Sequence, residues 1–382
     1  MVTAINNPTT EVYPPAMIVT SSRGGVEILD EVAEEWRGLC AEATDDQPFY
    51  RPEWIRAHIR AFIPEARVVL IMARRGGRLC LLLPLVEETA TFSGIPARRL
   101  RAPVNCFAGR FDAVRRAGAD GEAAIKATWD YLEGLGGWDL LQFRDTPGNS
   151  TAGRVVAAAK ARGFRSLKLA DNPNPYVPVP SDPELLQKLP LNARLRTKLR
   201  QARRQLAELG RLNFYRIETA DHDVIERFYQ LEASGWKGRE GSATLCIPKL
   251  RQFFDEIAES AARFGYFSLY MLELNGQLLA GHFALTYQGR CYSPIVAFNE
   301  DFRQFAPGHL IVSEILQDCA ARGIYGYDIT GQNQEWKMKW TNEAHPVNHH
   351  FVFRGPLGAL AYAVGTGLKP IVNRLFAGRQ PE

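Results

Sequence analysis

The chain has 382 residues, which is too long for a domain with a single ordinary hydrophobic core and suits two domains of typical size. Hydrophobic residues make up 46% of the chain and charged residues 23%, a balance that excludes an intrinsically disordered protein. The net charge of +4 is too small to draw the whole molecule to nucleic acid or to a membrane. Local clusters of residues must therefore carry any such binding.

Two segments interrupt the predicted helices and strands. Residues 1–24 contain three prolines and a Ser/Gly run, which predicts a flexible N-terminal lead. Residues 171–190 contain six prolines, and because proline lacks the N–H donor that helices and central strands need, this segment predicts an extended connector. We therefore expect one domain over residues 25–170 and a second over residues 191–382.

The two sides of this connector repeat the same order of predicted elements. Each begins with a hairpin, marked by Gly76-Gly77 in the first half and Asn275-Gly276 in the second. Each continues with a helix that stops at glycine and gives way to a strand. These helix–strand units are Glu122–Leu135 with Trp138–Phe143, and His309–Arg322 with Tyr325–Ile329. The repeated order predicts an internal duplication.

The first candidate binding site is a turn between the predicted strand Arg290–Phe298 and a helix that starts near His309. Small residues in such a turn let phosphates approach the backbone, and the N-terminal end of the helix attracts the anion. The alternative is an ordinary loop with a proline at a helix start. The turn consists of Arg303, Gln304, Phe305, Ala306, Pro307 and Gly308.

A second candidate site is a helix end at Leu231–Gly241. Glu232 and Trp236 lie one helical turn apart, and Lys237 and Arg239 follow among glycines. A tryptophan and a lysine on such a turn can form the wall and the cation of a substrate pocket. A helix terminus with a basic cap and a half-buried tryptophan is the alternative.

The third candidate site begins at Asp328, at the end of a predicted strand, and continues to Lys337 and Trp340. A carboxylate at this position can accept a proton from an amine, and a lysine can stabilise an oxyanion. In the alternative interpretation, Asp328 only caps the next turn.

A basic helix is predicted over Arg194–Leu209. Its apolar stripe consists of Leu195, Leu199, Ala202, Leu206 and Leu209. Between residues 194 and 204 its other positions carry six basic residues with no acid among them, Arg194, Arg196, Lys198, Arg200, Arg203 and Arg204. This face can hold an anionic donor or a polyanionic acceptor, tRNA included, or can simply be solvated. No RNA-binding motif accompanies it, so the sequence does not favour nucleic acid as a partner.

Other classes of site and location are excluded or constrained. His345, His349 and His350 fall on a predicted edge strand without a nearby cysteine ligand, so we expect no metal site. The six cysteines occur singly, no segment resembles a signal peptide, and no stretch approaches a membrane span of roughly 20 apolar residues. The sequence predicts a cytoplasmic protein. The apolar Leu357–Phe376 favours a packed helix and still allows peripheral contact with a membrane.

Taken together, the Glu-x-x-x-Trp-Lys-Gly turn, the Ala-Pro-Gly loop and the Asp-x-x-Gly…Lys-x-x-Trp segment resemble the GNAT superfamily of acyl-CoA N-acyltransferases. Within it, the chain resembles the CelD/BcsL-like branch named for cellulose biosynthesis, which is related to the FemAB transferases. The resemblance implies an α/β (α+β) fold of two tandem GNAT-like domains, each a mixed, largely antiparallel sheet flanked by helices. It places the working site in the C-terminal copy.

The resemblance also implies roles for individual residues. The family's pyrophosphate loop, Gln/Arg-x-x-Gly-x-Gly/Ala, is matched by Arg303-x-x-Ala306-x-Gly308, with Ala306 in place of glycine and Pro307 lacking a donor. The implied ligand of this loop is acetyl-CoA or another acyl-CoA. The implied cofactor-binding set runs from Arg303 to His309 and includes Ile295 and Val296 on the preceding strand. The catalytic candidates are Glu232, Lys237, Asp328 and Lys337, and the substrate-binding candidates are Trp236, Arg239, Tyr292 and Trp340.

The implied reaction moves an acyl group, most simply acetyl, from acyl-CoA to an amine or hydroxyl of a small-molecule or sugar acceptor. The branch is associated with exopolysaccharide or cell-envelope metabolism. The FemAB relationship keeps an aminoacyl-tRNA-dependent transferase open, with the helix Arg194–Leu209 as the tRNA contact. The departures at Ala306 and Pro307 keep a non-catalytic scaffold or regulator of polysaccharide assembly open.

Overall fold

The computed structural model describes residues 15–107, 109–182, 185–186 and 193–367. The first half of the chain contributes strands β1 (Met17–Gly24), β2 (Arg67–Arg75), β3 (Arg78–Phe92), β4 (Ile95–Arg101), β5 (Val114–Arg115), β6 (Leu140–Pro147) and β7 (Arg165–Pro178). Its helices are α1 (Ile28–Glu31), α2 (Ala33–Ala41), α3 (Pro52–Phe62), α4 (Ala119–Leu135) and α5 (Thr151–Ala161).

The second half contributes strands β8 (Leu212–Ile217), β9 (Phe267–Leu274), β10 (Gln277–Tyr287), β11 (Arg290–Phe298), β12 (Gly326–Asp328) and β13 (Ala344–Phe353). Its helices are α6 (Ala193–Leu209), α7 (His222–Ser234), α8 (Trp236–Arg239), α9 (Pro248–Arg263), α10 (Pro307–Ala321) and α11 (Gly355–Gly367). The fold is a mixed α/β structure, as the sequence predicts.

The local units predicted from the sequence are confirmed. The β2–β3 and β9–β10 hairpins turn at Gly76-Gly77 and Asn275-Gly276, and all four of these residues have positive φ, as tight hairpin turns require. Helix α4 leads into β6 and α10 leads into β12. The duplicated order of elements is therefore present in the structure.

All described strands belong to one sheet. Its order is β1-β2-β3-β4-β6-β13-β7-β12-β11-β10-β9-β8, with β5 paired to β3. At its centre β7 and β13 are antiparallel neighbours, and each of them also pairs with a strand of the opposite half, β7 with β12 and β13 with β6. Outside them, β6 is parallel to β4 just as β12 is parallel to β11. The two halves are thus related by a pseudo-two-fold axis and exchange their last strands.

Three sequence predictions are corrected by this topology. Residues 17–24 do not belong to a flexible lead, because they pair with β2 and place Met17 and Val19 against the core. Residues 171–178, at the start of the predicted connector, lie in the central strand β7, which accommodates Pro173 at a bulge of β7 against β13. The remaining residues of that segment are described only in part.

The third correction concerns the strand that carries the three histidines. We predicted an edge strand there, but β13 lies between β6 and β7 in the middle of the sheet. The neighbouring strands meet some of its buried polar groups: the Asn348 backbone carbonyl accepts a hydrogen bond from Thr146 Oγ1, and the His349 side chain contacts Asp145 and Asp171. A polar sequence can occupy a central strand when its polar groups are satisfied in this way.

The largest apolar cluster spans both halves of the chain. Helices α3 and α9 pack against each other, with the rings of Trp54 and Phe253 5.0 Å apart in an edge-to-face arrangement. Phe49 meets Tyr292 in the same way at 5.3 Å. The predicted domains are therefore joined by a common core as well as by a common sheet.

Two surface helices frame this body. Helix α6 buries Leu195, Leu199, Ala202 and Leu206 as its apolar stripe predicts, whereas Leu209 is exposed. Helix α11 packs through Gly358, Ala361 and Gly365, and residues 368–376 of the predicted apolar helix lie outside the described part. Among the described helices, none has the length and apolar character needed to cross a lipid bilayer.

Candidate functional site

The site begins where two parallel strands diverge. Strands β11 and β12 pair only from Arg290 to Tyr292, and β11 then continues without β12 beside it. An extra residue in β11 shifts its register against β10 just after Tyr292, and such a bulge bends a strand. Pro294 fits this place because a bulge spares it a ladder hydrogen bond. The result is a V-shaped cleft between the outer part of β11 and the end of β12.

On one wall of the cleft, the buried Glu232 forms an ion pair with the half-buried Lys237. The Lys237 Nζ donates to Glu232 Oε1 at 2.8 Å and to Val296 O, on the open edge of β11, at 3.0 Å. The other carboxylate oxygen of Glu232 accepts the Thr244 N–H at 2.9 Å. Both oxygens of Glu232 therefore have hydrogen-bond donors. Lys237 binds the Val296 carbonyl, which is one of the backbone groups expected to pair with a pantetheine arm.

On the opposite wall, Asp328 ends β12 and is locked by an arginine from the first half of the chain. The Arg110 Nη2 donates to Asp328 Oδ1 at 2.9 Å and lies 2.8 Å from Oδ2. Both side chains are almost fully buried, with 4% and 3% of their surface exposed. Asp328 Oδ1 also accepts the Thr330 N–H at 2.9 Å. His345 Nε2 lies 3.6 Å from Asp328 Oδ2.

Beyond Asp328 the chain makes a left-handed turn at Thr330 and Gly331, with φ values of 48° and 58°. The Thr330 hydroxyl donates to Ser293 O on β11 at 3.0 Å, which ties the turn to the point where the strands diverge. A β-branched residue in this conformation is strained and needs surrounding contacts to hold it.

Lys337 returns to this turn from the following loop. Its Nζ donates to Thr330 O at 2.6 Å and to Gln332 O at 3.0 Å, and the residue is 6% exposed. Burial lowers the pKa of Lys337 to about 8, an effect that the Asp328 charge opposes and the Lys237 charge reinforces. An ammonium carries three N–H donors, and two of them have acceptors here. The third has no acceptor among the residues that the structure describes, and the Trp336 ring centroid lies 5.7 Å from Nζ.

The candidate phosphate loop lies at the start of α10. Ala306 takes the left-handed conformation usual for glycine, with φ 51°, and its carbonyl accepts the N–H groups of His309 at 2.9 Å and Leu310 at 3.0 Å. Pro307 has no N–H, so Gly308 supplies the N–H that has no acceptor within the described residues. Arg303 and Gln304 are exposed, with Phe305 half-buried at the end of the preceding 3₁₀ helix. The loop therefore presents fewer amides than a glycine-rich turn would.

The substrate-binding candidates fall into two groups. Trp236 is 45% exposed, and its N–H donates to Glu300 Oε1 at 2.9 Å, while Arg239 lies 2.9 Å from Glu300 Oε2. Both therefore lie at the rim of the cleft. Tyr292 and Trp340 are instead buried, and the Trp340 Nε1 donates to His309 Nδ1 at 2.9 Å. These two support the site from below.

Most of the second-half residues of this site lie in the segment that matches a known family. Residues 193–338 match the acetyltransferase (GNAT) domain family. No curated protein matches the chain.

Similar solved structures include FemX, which shares 13% identity with this chain at a TM-score of 0.59. The alignment covers 86% of this chain and 98% of the FemX chain. A conserved protein of unknown function from Bacteroides thetaiotaomicron shares 10% identity at a TM-score of 0.54, over 88% of this chain and 100% of its own. The C-terminal domain of a candidate lysylphosphatidylglycerol synthetase from Agrobacterium fabrum shares 15% identity at a TM-score of 0.51, over 89% and 97%. At these identities the likeness concerns the fold alone.

Within the matched domain, the structure brings Lys237, Asp328 and Lys337 to the same cleft. The sequence analysis did not find Arg110 or Asn174, which complete the polar network around Asp328: the Arg110 Nε donates to Asn174 Oδ1 at 2.7 Å. No local pattern marks either residue, because both reach the site from the first half of the chain. Ile295 and Val296 lie on the diverging part of β11, as a donor-binding strand requires.

One cluster that the sequence analysis dismissed has the composition of a metal site. Asp145, Asp171 and His349 offer ligand atoms within 4.8 Å of one another. However, the Asp145 N–H donates to His349 Nδ1 at 3.1 Å, so a neutral ring carries its proton on Nε2, which lies 3.3 Å from Asp171 Oδ2. The ring nitrogen that faces the carboxylates is therefore a donor and is not free to bind a cation.

A groove of about 580 Å³ runs along α6 beside the phosphate loop. Lys198 and Gln304 line the groove. Burial, together with the positive charges of Lys339 and Lys198, lowers the pKa of the neighbouring His309 to about 4. Part of the predicted basic face is neutralised, since Arg203 pairs with Glu314 and Arg204 with Glu208. The charge that remains near the loop has the sign that a phosphorylated donor needs.

Proposed function

We propose that this protein is a GNAT-type N-acyltransferase that works in the cleft between β11 and β12. The observation that carries the proposal is Lys337, a buried amine held by Thr330 O and Gln332 O with one N–H left for a ligand. A cation aimed at the carbonyl oxygen of an acyl donor stabilises the negative charge that develops during transfer. The match of residues 193–338 to the GNAT domain supports the same conclusion.

In this proposal an acyl-CoA is the donor. Its pyrophosphate would lie at the Gly308 N–H and the start of α10, and its pantetheine arm along Ile295 and Val296. The acceptor amine or hydroxyl would enter past Trp236 and attack the thioester carbonyl, and the thiolate would leave as the new bond forms. Positioning and charge stabilisation then supply most of the catalysis.

The proton of the acceptor would pass to water or to the leaving thiolate. Glu232 binds Lys237 and the Thr244 N–H, and Asp328 binds Arg110 and the Thr330 N–H, so both carboxylates have structural partners in the cleft. We therefore assign both carboxylates to holding the walls of the cleft. A small-molecule or sugar acceptor in exopolysaccharide or cell-envelope metabolism follows from the family resemblance alone.

The first test is the binding of acetyl-CoA, longer acyl-CoAs and CoA, measured by thermal unfolding. A ligand at a hundredfold excess over its Kd stabilises the folded state by about 2.7 kcal/mol, and acetyl-CoA should raise the Tm accordingly. Release of the CoA thiol in the presence of a panel of amines and amino sugars then reports transfer. If no acyl-CoA raises the Tm, the acyl-CoA donor is wrong.

The second test is Lys337→Met, with Lys339→Met as its matched control two residues away. Loss of one oxyanion donor lowers kcat by about 10² to 10³, so we expect that fall for K337M with little change in KM. Lys339 is 45% exposed and pairs with Glu335, and its removal should change kcat less than threefold. Equal losses in the two variants would contradict the assignment of Lys337.

An aminoacyl-tRNA donor is the second candidate function. The groove along α6 favours it, because Lys198 and its neighbours lie beside the phosphate loop, and the FemAB resemblance implies such donors. Charged tRNA should then raise the Tm where acetyl-CoA does not, and Lys198→Glu should weaken its binding in a salt-dependent way. A scaffold without catalysis predicts no stabilisation by either donor.

A further inference from the structure

The strained turn at Thr330 and Gly331 is held from two sides by a single residue of the first half of the chain. Arg110 contacts Asp328, whose Oδ1 accepts the Thr330 N–H at 2.9 Å. Arg110 also contacts Asn174, whose Nδ2 donates to Gly331 O at 2.6 Å. One guanidinium therefore fixes a donor at the first turn residue and an acceptor at the second.

The same turn accepts a hydrogen bond from the Lys337 amine. The Thr330 carbonyl, which is one of the two acceptors of Lys337 Nζ, belongs to the residue whose φ of 48° is unfavourable for a β-branched side chain. A strained conformation of this kind persists only when neighbouring contacts over-determine it. If the turn relaxed, Thr330 O would rotate away and Lys337 would lose the acceptor at 2.6 Å.

Arg110 is well suited to this task. It is buried, its planar guanidinium reaches several acceptors at once, and a third contact to Gln47 Oε1 at 3.3 Å fixes its own position. We propose that Arg110 is a positioning residue of the second-half cleft: it holds the Thr330–Gly331 turn and thereby orients the Lys337 amine toward the reacting carbonyl. The first copy of the fold would then be a working part of the site, and this inference rests on the proposed function.

The test compares Arg110→Met with Arg51→Met. Arg51 is also a buried arginine of the first half that crosses to the second, donating to Tyr287 Oη at 2.9 Å, but it does not touch the turn. Removing Arg110 acts on Lys337 in two opposite ways: the unbalanced Asp328 anion favours the ammonium, whereas loss of the Thr330 O acceptor disfavours it. Arg110→Lys separates the two effects because it keeps the charge beside Asp328 and loses the Asn174 arm of the network. The pKa of Lys337 should therefore fall in R110K and stay unchanged in R51M.

That titration needs no substrate. Competitive acetylation by acetic anhydride across pH, read by mass spectrometry at Lys337 with the exposed Lys126 as internal reference, measures it directly. A Lys337 titration that is the same in R110K as in R51M overturns the inference, and a lower one supports it. R110K also retains the buried positive charge, so it tests the positioning role even where R110M fails to fold.

Catalysis gives an independent readout once a donor and an acceptor are established. R110M should lower kcat by about 100-fold with a smaller change in KM, because a misplacement of about 1 Å costs that much. Thr330→Gly, which adopts positive φ without strain, should restore at least tenfold of this loss in the R110M background. Failure of rescue, with an unchanged Lys337 titration, rejects the positioning role; failure of acetyl-CoA to bind with a shifted titration rejects only the proposed donor.

Discussion

Strands β6 and β12 occupy equivalent positions in the two copies of the fold, but the side chains around them differ in chemistry. Gln142 on β6 pairs with Arg101 just as Asp328 on β12 pairs with Tyr292. In the second copy a left-handed turn at Thr330-Gly331 follows β12, and in the first copy the left-handed residue is Asp145, inside β6 where its register shifts against β13. In each copy the exchanged strand supplies a side chain that holds this turn.

The side chains that complete the two turns differ. In the second copy, Asn174 holds the Gly331 carbonyl and Lys337 sits on the turn with a free N–H. In the first copy, His349 accepts the Asp145 N–H and closes against Asp171. The shared backbone therefore provides the position, and among the described residues the second copy places a lysine amine there where the first places a histidine ring. This difference is why we assign the chemistry to the second copy.

The largest expected effect of breaking this difference is on stability. Asp328→Ala leaves the buried Arg110 without its partner, and breaking a buried ion pair in this way costs about 3 to 5 kcal/mol. Gln142→Ala, the matched change in the first copy, removes a neutral acceptor 2.8 Å from Arg99 and should cost about 1 kcal/mol. Urea unfolding of both variants measures the two costs, and equal values would show that the Asp328–Arg110 pair is not special.

The sequence revealed what depends on local pattern. Turn residues such as Asn275-Gly276 and the apolar spacing of α6 act over a few residues, so hairpins and helices could be predicted. The candidate site was located because Lys237, Asp328 and Lys337 lie in short motifs that the fold then brings together.

The rest depends on pairings between distant residues. Arg110 and Asp328 are separated by 218 positions, and Thr146 and Asn348 by 202. Both contacts depend on the exchange of β7 and β13 between the two halves of the chain, and no local sequence pattern predicts such an exchange. This is why the histidine strand was predicted at an edge and why the part played by Arg110 was missed.

A smaller effect of opposite sign is expected at Lys337. Its pKa in the folded protein is about 8, below the ordinary 10.5, so the folded state binds fewer protons than the unfolded chain between these values. Stability should therefore rise with pH through this window, and at pH 7 the buried ammonium should cost about 1 to 3 kcal/mol. Lys337→Met should remove that cost.

The variant K337M should therefore be more stable than the parent at pH 7 while it is less active, as expected for a residue kept for function. The activity of the parent should fall as pH rises through about 8, because the ammonium is then lost. Urea unfolding at pH 7 and pH 9.5 with a pH–rate profile measures both effects. A K337M variant that is less stable at pH 7 would indicate a structural role for the lysine.

The smallest expected effect separates the two left-handed turns themselves. Asp145 has φ 54°, and burial raises the pKa of its carboxyl group. The ionised carboxylate therefore lowers the stability of the folded protein above the folded pKa, and this cost is absent below the unfolded pKa. Asp145→Gly removes both the backbone strain and the buried charge and should stabilise the protein by about 1 kcal/mol at pH 7, with a smaller gain near pH 3. Thr330→Gly relieves similar strain but loses the hydrogen bond to Ser293 O, so its net effect should be close to zero. If D145G destabilises the protein instead, the first-copy turn needs its carboxylate, and the view that only the second turn is built for a ligand must be given up.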